Sequence, residues 1–388
     1  MNILFLMGVY PSYGGVEKVS TVLANAFVNN GHGVSIVSFE QPYPEVAKKE
    51  LNTEVRLYKL DYPVYSKANV LRLHQILTDG SVDVIINQWC VPFYVARLCK
   101  HAMKGTACKL VSVHHNKPDT NARIKDIEIK IEKKQGNAWL NKLKLFVVRT
   151  VSRMSLRYTY NNSDCYVVLS PRFVPIARKY MWLGESAEII SIPNPLTITL
   201  PSKPIELERK KKQILCVGRI EYNQKRTFRI VEIWKRLEKS FPEWELIIVG
   251  DGPDRKDLEQ RTVCLGLQHV KFTGFVDPVP YYETASLQVM ASQYEGFLLV
   301  IVEGQSYGVV PLILGSYEAV YDIIDSERDG VISSLPYSEE RMAKELSQLM
   351  ENENLRVALA TQGQKNAERY MLREIVSRWE MLFNELKE

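Results

Sequence analysis

The sequence predicts two α/β domains in series, each with a doubly wound parallel sheet between layers of helices. Its 388 residues exceed what one ordinary hydrophobic core organises. Short, continuous apolar segments recur along the chain, and segments with helical spacing separate them. Such alternation is typical of parallel sheets that are buried on both faces. The pattern breaks once, near residue 200, so we expect one sheet on each side of that point.

The first domain is expected over residues 1–198. It opens with the strand ILFLM, and the helix VEKVSTVLANAFV follows a glycine-containing loop and ends at Gly31. Because the opening segment lacks a basic n-region, we interpret it as a strand and not as a signal peptide. The other predicted strands of this domain are VSIVSF, VDVIINQW, KLVSV, CYVVLS and EIISI.

A segment rich in proline and charge, residues 199–212, is expected to link the domains. The second domain is then expected over residues 213–371, with a helix from about Thr227 to Ser240. Its predicted strands are ILCVG, WELIIVG, VKFTGF, LQVMAS, VVPLIL and GVI.

The last segment, residues 372–388, is predicted to be an amphipathic helix that packs back on the first domain. Its apolar side chains lie three or four positions apart, and such a stripe has to be buried somewhere. The stripe consists of Ile375, Trp379, Leu382 and Leu386.

Composition excludes several classes of protein. The chain is 46% hydrophobic and 24% charged, as globular proteins are. No apolar run approaches the length that spans a bilayer. The six cysteines are scattered singly, which argues against a zinc site or a disulfide framework and favours the reducing cytoplasm.

Charge is distributed unevenly between the two halves. Residues 1–200 contain 25 Lys and Arg against 15 Asp and Glu, whereas residues 201–388 contain 25 against 30. The first half is therefore expected to face an anionic partner.

The usual nucleotide-binding sequence motifs are missing, which argues against a dinucleotide-dependent redox enzyme and against a P-loop nucleotide hydrolase. No GxGxxG follows a strand, although GDG stands at 250–252, and no GxxxxGK[ST] occurs. What remains are glycine turns at strand ends, where open α/β sheets bind ligands. Gly14 and Gly15 directly precede a helix whose N-terminal N–H groups could meet an anion. A tight turn with positive φ is the structural alternative for this pair.

A second turn, CVGRIEYNQKR, combines a strand end with three cations. The strand ends at Gly218, and Arg219, Lys225 and Arg226 surround the start of the next helix. Cations beside a helix N-terminus suit a diphosphate. The structural alternative is a solvated basic loop.

A third stretch, YEGFLLVIVEG, has two glutamates eight positions apart around an apolar run. Glu295 is expected in the loop after LQVMAS, and Glu303 within a helix that ends at Gly308. Positions eight apart on a helix point to similar sides, so both carboxylates could address one ligand. The structural alternative is the polar ends of a buried element.

His114 and His115 end the predicted strand KLVSV. A histidine at the carboxyl end of a strand, facing an interdomain cleft, is suited to proton transfer or hydrogen bonding. Adjacent histidines on a strand point to opposite faces, so they are poor ligands for one metal. A structural role is the alternative for one of the pair.

The basic segment 117–157 contains an apolar stripe at helical spacing. We expect this stripe to be core, and the charges outside it to face solvent, where they could contact an anionic membrane. Nucleic acid is not expected as a partner, because no binding module is present. The stripe consists of Trp139, Leu143, Phe146, Thr150 and Met154, and the cations are Lys142, Lys144, Arg149, Arg153 and Arg157.

Together these motifs resemble the retaining glycosyltransferases of family 4, which have the GT-B fold of two Rossmann-like domains facing a cleft. The most specific match is EGF at 295–297 with Glu303, the E-x7-E signature, followed by Gly308 and Pro311. The other matches, in order, are GGVEKV, PNP at 193–195, VGRI with QK at 217–225, VGDGP at 249–253 and FTGFV at 272–276.

The resemblance implies roles for individual residues. Arg219 and Lys225 would bind the donor diphosphate and stabilise the leaving group. Glu303 would hydrogen-bond the nucleotide ribose, and Glu295 would hold the transferred sugar. His114 would lie near the reacting sugar carbon on the acceptor side. Further donor contacts are implied at Gly15, Gly218, Gly250, Gly296, Phe297, Leu298 and Leu299.

The chain departs from the family pattern at two places. Leu298 stands where the family usually has a small residue, and residues 315–318 replace a glycine-containing turn. Both loops are expected near the donor, so the sugar stays open, with UDP favoured over GDP as the nucleotide.

The resemblance implies sugar transfer with retention and without a metal or other cofactor. The acceptor hydroxyl would attack on the face that the diphosphate leaves, because the first domain shows no candidate carboxylate nucleophile. Closure of the domains would exclude water. The acceptor is expected to be a glycan or lipid-linked glycan of cell-surface polysaccharide, at the inner face of the membrane. The alternatives are a nucleotide-sugar epimerase, a phosphorylase on the same fold and a non-catalytic partner subunit that binds sugar nucleotides.

Overall fold

The computed structural model describes residues 1–201 and 203–387. Ser202 of the predicted linker and Glu388 at the end of the predicted terminal helix lie outside the described residues. The chain divides into two compact units: the first comprises residues 1–197 and the segment from residue 372 onward, and the second comprises residues 198–371. Each unit contains its own parallel sheet with helices on both faces, which confirms the predicted fold class.

Seven parallel strands form the sheet of the first unit, in the order β3-β2-β1-β4-β5-β6-β7. The strand order reverses between β1 and β4, and in open α/β sheets ligands bind at the carboxyl ends of the strands beside such a point. The strands are β1 (Asn2–Val9), β2 (Gly33–Glu40), β3 (Arg56–Lys59), β4 (Val84–Asn87), β5 (Lys109–His114), β6 (Cys165–Val168) and β7 (Ile190–Ser191).

The edge strand β3 was not predicted. Its sequence RLYK has no continuous apolar run, because an edge strand outside the core is exposed at most positions. Its register against β2, with Ile36 opposite Leu57, therefore adds a strand that hydrophobic pattern alone does not reveal.

Helices cover both faces of this sheet, and they bury aliphatic side chains against the strands. One such cluster includes Leu4, Leu73 and Leu98. The helices are α1 (Gly15–Asn29), α2 (Pro44–Glu50), α3 (Lys67–Asp79), α4 (Phe93–Ala102), α5 (Ala122–Glu132), α6 (Ala138–Asn161) and α7 (Phe173–Tyr180).

The prediction that the stripe on α6 is core is wrong. Trp139 is 68% exposed, Phe146 67% and Met154 63%, and Leu143 is exposed as well. Helix α6 packs on its neighbours through its other face, where Asn141, Leu156 and Thr159 are buried. Across that contact, the Thr159 hydroxyl donates to the Cys90 carbonyl. The sequence pattern could not choose between the faces, because it located the apolar stripe without showing which face meets the neighbours.

Six parallel strands form the sheet of the second unit, in the order β10-β9-β8-β11-β12-β13. The strand order reverses between β8 and β11, which makes their carboxyl ends the expected ligand position in this unit. The strands are β8 (Lys211–Val217), β9 (Glu245–Val249), β10 (Val270–Gly274), β11 (Ala285–Met290), β12 (Val310–Leu314) and β13 (Val331–Ser333).

The helices of the second unit alternate with these strands. They are α8 (Phe228–Leu237), α9 (Arg255–Cys264), α10 (Val279–Thr284), α11 (Leu299–Ser306), α12 (Val320–Ile323), α13 (Glu339–Glu351) and α14 (Glu353–Ala367). Short 3-10 helices lie at Leu207–Arg209 and Glu368–Tyr370.

The segment predicted as a linker, residues 199–212, lies in the second unit where the structure describes it. Lys211 and Lys212 are the first residues of β8. The Tyr307 hydroxyl donates to the Thr199 carbonyl at 2.6 Å, which ties the start of the segment to the unit. The segment rich in proline and charge is therefore a surface segment of the second unit that leads into β8.

The terminal helix α15 (Leu372–Glu385) belongs to the first unit. The ring of Phe383 lies 5.6 Å from the ring of Phe27 on α1. The Asn30 amide at the end of α1 donates to the Glu380 carboxylate at 2.8 Å. Apolar packing and a polar contact thus attach α15 to α1.

None of the helices in the described part of the chain has the length and apolar character needed to cross a membrane.

Candidate functional site

The loops after β8, β11 and β12 are bonded to one another at the carboxyl edge of the second sheet. The Gln293 backbone N–H donates to the Gln224 carbonyl at 2.7 Å, which joins the loops after β11 and β8. The Ser316 hydroxyl donates to the Ser292 carbonyl at 2.6 Å, which joins the loops after β12 and β11. The three strands are neighbours in the sheet, so their loops form one continuous surface.

An ion pair between Lys225 and Glu295 lies within this surface. The Lys225 ammonium is 2.8 Å from Oε1 of Glu295, and their side chains are 19% and 7% exposed. The Gln224 amide donates to the other carboxylate oxygen at 3.2 Å. Both oxygens of Glu295 therefore have a donor, as a carboxylate removed from water requires.

The structure leaves Arg219 apart from this pair. Its side chain is 61% exposed, and its guanidinium is 3.8 Å from Glu221. The Glu221 carboxylate accepts the backbone N–H groups of Asn223, at 2.6 Å, and of Gln224. Glu221 thus shapes the turn that presents Lys225, and Arg219 lies at its exposed edge.

Glycines bring the turns after β8 and β9 into backbone contact. Gly218 has φ +143° and Gly250 has φ +141°. A Cβ on Gly250 would lie 2.0 Å from the Gly218 carbonyl oxygen, so no other residue fits there. The Gly218 N–H donates to Val249, and the Gly250 N–H to Gly274. These residues were predicted as donor contacts. The structure gives both a conformational reason to be glycine, their positive φ, and gives Gly250 a packing reason as well.

The loop 295–298 precedes α11 as predicted, and Gly308 follows the helix with φ +70°. Gly296 is buried. Leu298 is only 2% exposed, so its side chain anchors this loop in the core. The Phe297 ring packs edge-on against Tyr370 at 5.4 Å. The Leu299 N–H, predicted to face the donor, donates to the Phe297 carbonyl at 3.1 Å.

Glu303 has a different partner from Glu295. It lies buried on α11 and accepts a hydrogen bond from the Tyr282 hydroxyl at 3.3 Å. The Lys210 ammonium donates to the Tyr282 carbonyl at 2.6 Å. Burial lowers the pKa of Lys210 to about 7. The two carboxylates of the signature are therefore fixed by separate contacts.

A further polar group near Glu295 is the Tyr317 hydroxyl in the loop after β12. Tyr317 is 2% exposed, and its hydroxyl has no hydrogen-bond partner among the described residues. Burial, together with the negative charge of Glu295, raises the pKa of this phenol well above its ordinary value. An unpaired buried hydroxyl is costly unless a ligand or water completes it.

In the first unit, a cleft of about 310 Å³ opens at the carboxyl ends of β1, β4 and β5. This is the edge where the strand order reverses. Its lining combines aromatic, amide and titratable groups. It is lined by Met7, Gly8, Val9, Val16, Glu17, Tyr62, Gln88, Trp89, Cys90, Val91, Val113, His114, His115 and Asn116.

His114 lines this cleft, but it is only 2% exposed. The Tyr166 hydroxyl is 2.9 Å from its Nδ1. Burial lowers the pKa of His114 to about 4, so the ring is neutral near pH 7. His115 hydrogen-bonds to Gln88 through Nε2, and burial with the neighbouring His114 lowers its pKa to about 3. Both rings can orient a polar ligand without carrying charge.

The glycine pair before α1 does not form a turn with positive φ. Gly14 is the N-cap residue with φ −81°, and α1 begins at Gly15. A Cβ on Gly14 would lie 2.0 Å from Oε2 of Glu17, so this carboxylate folds back over the helix N-terminus. Burial raises the pKa of Glu17. The position predicted to receive an anion is thus already occupied by a carboxylate of the chain.

Several residues of these sites were not predicted individually. Gln224 and Glu17 lie within motifs that the sequence analysis identified, and Tyr317 lies in the loop that departs from the family pattern. These motifs indicated the neighbourhood of the three residues. No sequence motif indicated Tyr282, because its partner Glu303 is 21 positions away. Within residues 1–201 and 203–387, no group of three or more His, Cys, Asp or Glu side chains could hold a metal ion.

Two named glycosyltransferases are similar to this chain over nearly its whole length. A glycosyltransferase of amylovoran biosynthesis, AmsD of Erwinia amylovora, is 29% identical over 99% of both chains. An α-1,4-N-acetyl-D-galactosaminyltransferase of Campylobacter jejuni, named for an undecaprenol diphosphate-linked glycan, is 28% identical over 100% of this chain and 99% of its own.

A solved structure shares the fold at low identity. HepE of Anabaena in complex with UDP-glucose superimposes with a TM-score of 0.74 at 16% identity, over 99% of this chain and 100% of that one. This likeness shows the two-domain GT-B fold.

Two family models match consecutive parts of the chain. The model "Glycosyltransferase Family 4" matches residues 13–198, and "Glycosyl transferases group 1" matches residues 201–366. The sequence motifs lie within these two parts of the chain. The matches confirm the resemblance to family 4 that the motifs indicated. The chain belongs to the family 4 glycosyltransferases of the GT-B fold.

Proposed function

We propose that this glycosyltransferase moves a hexose from a UDP-sugar to a hydroxyl of a glycan or lipid-linked glycan during assembly of a cell-surface polysaccharide. Transfer proceeds with retention and without a metal ion. The observation that carries the proposal is the Lys225–Gln224–Glu295 cluster at the carboxyl ends of β8 and β11. It combines a cation for a phosphate with a carboxylate for a sugar hydroxyl.

In this proposal the Lys225 ammonium balances the charge of the departing diphosphate. Breaking a glycosyl–phosphate bond places negative charge on the leaving group, and a cation held in position beforehand stabilises it without reorganising. Glu295 holds Lys225 in position at 2.8 Å. Arg219, exposed at the edge of the turn, adds a second positive charge when the diphosphate binds.

Glu295 and Glu303 act on different parts of the donor. Glu295 accepts hydrogen bonds from hydroxyls of the transferred sugar while Lys225 turns to the diphosphate. Glu303, fixed by Tyr282, accepts from the ribose. Tyr317, whose buried hydroxyl is unpaired in the described structure, hydrogen-bonds to the sugar and contributes to the choice of sugar.

The acceptor binds in the cleft of the first unit. Its hydroxyl attacks on the face that the diphosphate leaves, and the leaving phosphate takes the proton. His114, neutral near pH 7, orients the acceptor through hydrogen bonds and does not act as an acid. The nucleotide is supported by the UDP-glucose of the HepE complex, and the acceptor by the names of the two relatives.

In this proposal the reaction takes place at the cytoplasmic face of a membrane, with peripheral contact through the basic segment 117–157. The excess of cations in the first half of the chain supports an anionic surface as the partner.

A panel of nucleotides and nucleotide sugars in a thermal-shift assay tests the donor. We expect UDP-sugars to raise the melting temperature, because a ligand at one hundred times its Kd stabilises the folded state by about 2.7 kcal/mol. Stabilisation by GDP-sugars alone would contradict the choice of nucleotide.

Transfer assays test the reaction itself. With a UDP-sugar and a lipid-linked glycan, we expect product in the presence of excess EDTA, with the anomeric configuration of the donor retained by NMR. Loss of activity in EDTA that Mg²⁺ restores would refute metal independence. An epimerised nucleotide sugar or sugar formed without acceptor would identify an epimerase, and nucleotide binding without product would identify a non-catalytic subunit.

A further inference from the structure

Helix α6 presents a continuous apolar face to solvent. Trp139 and Phe146, about two-thirds exposed, are its most accessible members. The opposite side of the helix, with Asn141, Leu156 and Thr159, is buried. The α6 apolar face consists of Trp139, Leu140, Leu143, Phe146, Val147, Val151 and Met154, all of which are exposed.

These side chains form one surface. At 3.6 residues per turn, the seven positions fall within an arc of about 140° and extend along about 22 Å of helix. Single exposed apolar residues are ordinary on protein surfaces, but a contiguous stripe of this length marks an interaction site.

Cations border the α6 apolar face, and the helix contains no carboxylate. Lys142, Arg149 and Arg153 flank one side of the face, and Lys144 flanks the other. Among the described residues, neither Lys142 nor Lys144 forms an ion pair, so their charges are available. Arg149 pairs with Glu128 at 2.6 Å.

A second indole extends this surface beyond the helix. Trp182, 59% exposed, lies under the Arg153 guanidinium at 4.1 Å from the ring centroid. Lys133 and Lys134, both exposed, occupy the turn between α5 and α6 and precede Trp139. Tryptophan and basic side chains therefore lie at both ends of the apolar face.

We propose that the α6 apolar face docks on an anionic phospholipid surface. The apolar side chains enter the boundary between headgroups and acyl chains, while the bordering cations contact lipid phosphates. A helix without carboxylates, bordered mainly by cations, complements anionic lipid. A second copy of the chain would bring the same cations against themselves across a two-fold axis, which opposes a dimer through this face. The inference rests on the proposed function, whose membrane contact it assigns to particular residues.

Vesicle flotation with the full chain tests this surface. We expect the protein to float with vesicles of phosphatidylcholine and phosphatidylglycerol at low salt, and not with phosphatidylcholine alone. Phe146→Glu is expected to weaken binding at least about tenfold, because it places a charge in the apolar face. Lys142→Gln and Lys144→Gln are each expected to weaken it about fivefold at low salt.

Matched controls lie on α9 of the second unit. Val263, 77% exposed, and Lys256 are solvent-facing residues outside the basic segment. Val263→Glu and Lys256→Gln are expected to bind vesicles like the wild type. Brominated lipids should quench tryptophan emission of the bound wild type, and Trp139→Phe should remove a large part of that quenching.

Three results would overturn the inference: no binding to anionic vesicles at low salt, equal losses in the α9 controls, or a wild-type dimer that Phe146→Glu converts to a monomer in light scattering.

A thermal shift with UDP separates the two proposals. Stabilisation by UDP without vesicle binding refutes the membrane face alone. Vesicle binding without stabilisation by any nucleotide sugar refutes the proposed function alone.

Discussion

The Lys225 ammonium and the Glu295 carboxylate, 2.8 Å apart, join the loop after β8 to the loop after β11. Because both side chains are largely buried, each charge depends on the other for compensation. Under the proposed function, a diphosphate that approaches Lys225 would compete with Glu295 for the ammonium and release the carboxylate for a sugar hydroxyl. In the proposed function, binding of the donor thus exchanges this ion pair for contacts of the donor with the two side chains.

Lys225→Ala is expected to lower kcat/KM for sugar transfer by about 10²-fold to 10³-fold, since it removes a fixed cation from the departing diphosphate. It should also lower the free energy of unfolding by about 1–3 kcal/mol, because Glu295 loses its charged partner. Steady-state kinetics and chemical denaturation measure the two effects.

The control for this variant is Lys212→Ala. Lys212 pairs with Glu243 at 3.3 Å, but both side chains are about half exposed. An exposed pair contributes at most about 1 kcal/mol, and activity should not change. Full activity of Lys225→Ala would refute the assignment of the site.

Tyr282→Phe is expected to raise the KM for the donor about tenfold with a smaller effect on kcat. The change removes the hydroxyl that donates to Glu303, so the carboxylate proposed to bind ribose loses its orientation. Tyr281→Phe provides the control, because it makes the same chemical change at the preceding residue. Equal KM values for the two variants would show that Tyr282 does not position Glu303.

Gly250→Ala is expected to destabilise the second unit by about 3 kcal/mol or more, because its Cβ would lie 2.0 Å from the Gly218 carbonyl oxygen. Gly266→Ala separates this clash from backbone strain alone. Gly266 has φ +70° with nothing within 4 Å of its Cβ position, so a cost of about 1–2 kcal/mol is expected. Similar melting temperatures for the two variants would argue against direct backbone contact between the turns.

Acid is expected to destabilise the first unit through His114. Its pKa is about 4 when folded, against an ordinary value of 6.5. As pH falls below 6.5, His114 binds a proton in the unfolded chain but stays neutral in the folded chain. The free energy of unfolding therefore decreases. Between pH 7.5 and 5.5 this loss is about 1 kcal/mol.

Denaturation at both pH values measures this effect in His114→Asn, whose amide can still hydrogen-bond to the Tyr166 hydroxyl. The decrease should be smaller in the variant by about that amount, with His115 accounting for part of what remains. His269→Asn, at an exposed histidine, should keep the wild-type decrease. A wild-type decrease in His114→Asn would exclude His114 as its source.

The alternation of apolar strands and helices was sufficient to predict both sheets, because buried parallel strands need continuous apolar segments. It missed β3, whose edge position needs no such segment. It also placed the α6 apolar face in the core. Helical spacing locates an apolar stripe but does not reveal whether protein or another medium covers it, so Phe146 and Met154 were assigned to the wrong environment.

At the candidate site, sequence motifs predicted which residues stand at strand ends, but not their partners. Glu295 precedes α11 and Glu303 lies within it, as expected from spacing. The pairing of Glu295 with Lys225 and of Glu303 with Tyr282 joins residues 70 and 21 positions apart. Such contacts follow from the order of strands in the sheet, which a local motif does not contain.

The position of α15 has a consequence for synthesis of the protein on the ribosome. The first unit buries Phe27 of α1 against Phe383 of α15, so a unit that opens with β1 is completed by a helix that follows the whole second unit. All strands of both sheets emerge before this helix does. The nascent first unit therefore carries an uncovered apolar patch on α1 until the second unit and α15 have been synthesised, and a chain that stops before residue 372 lacks the helix that covers this patch.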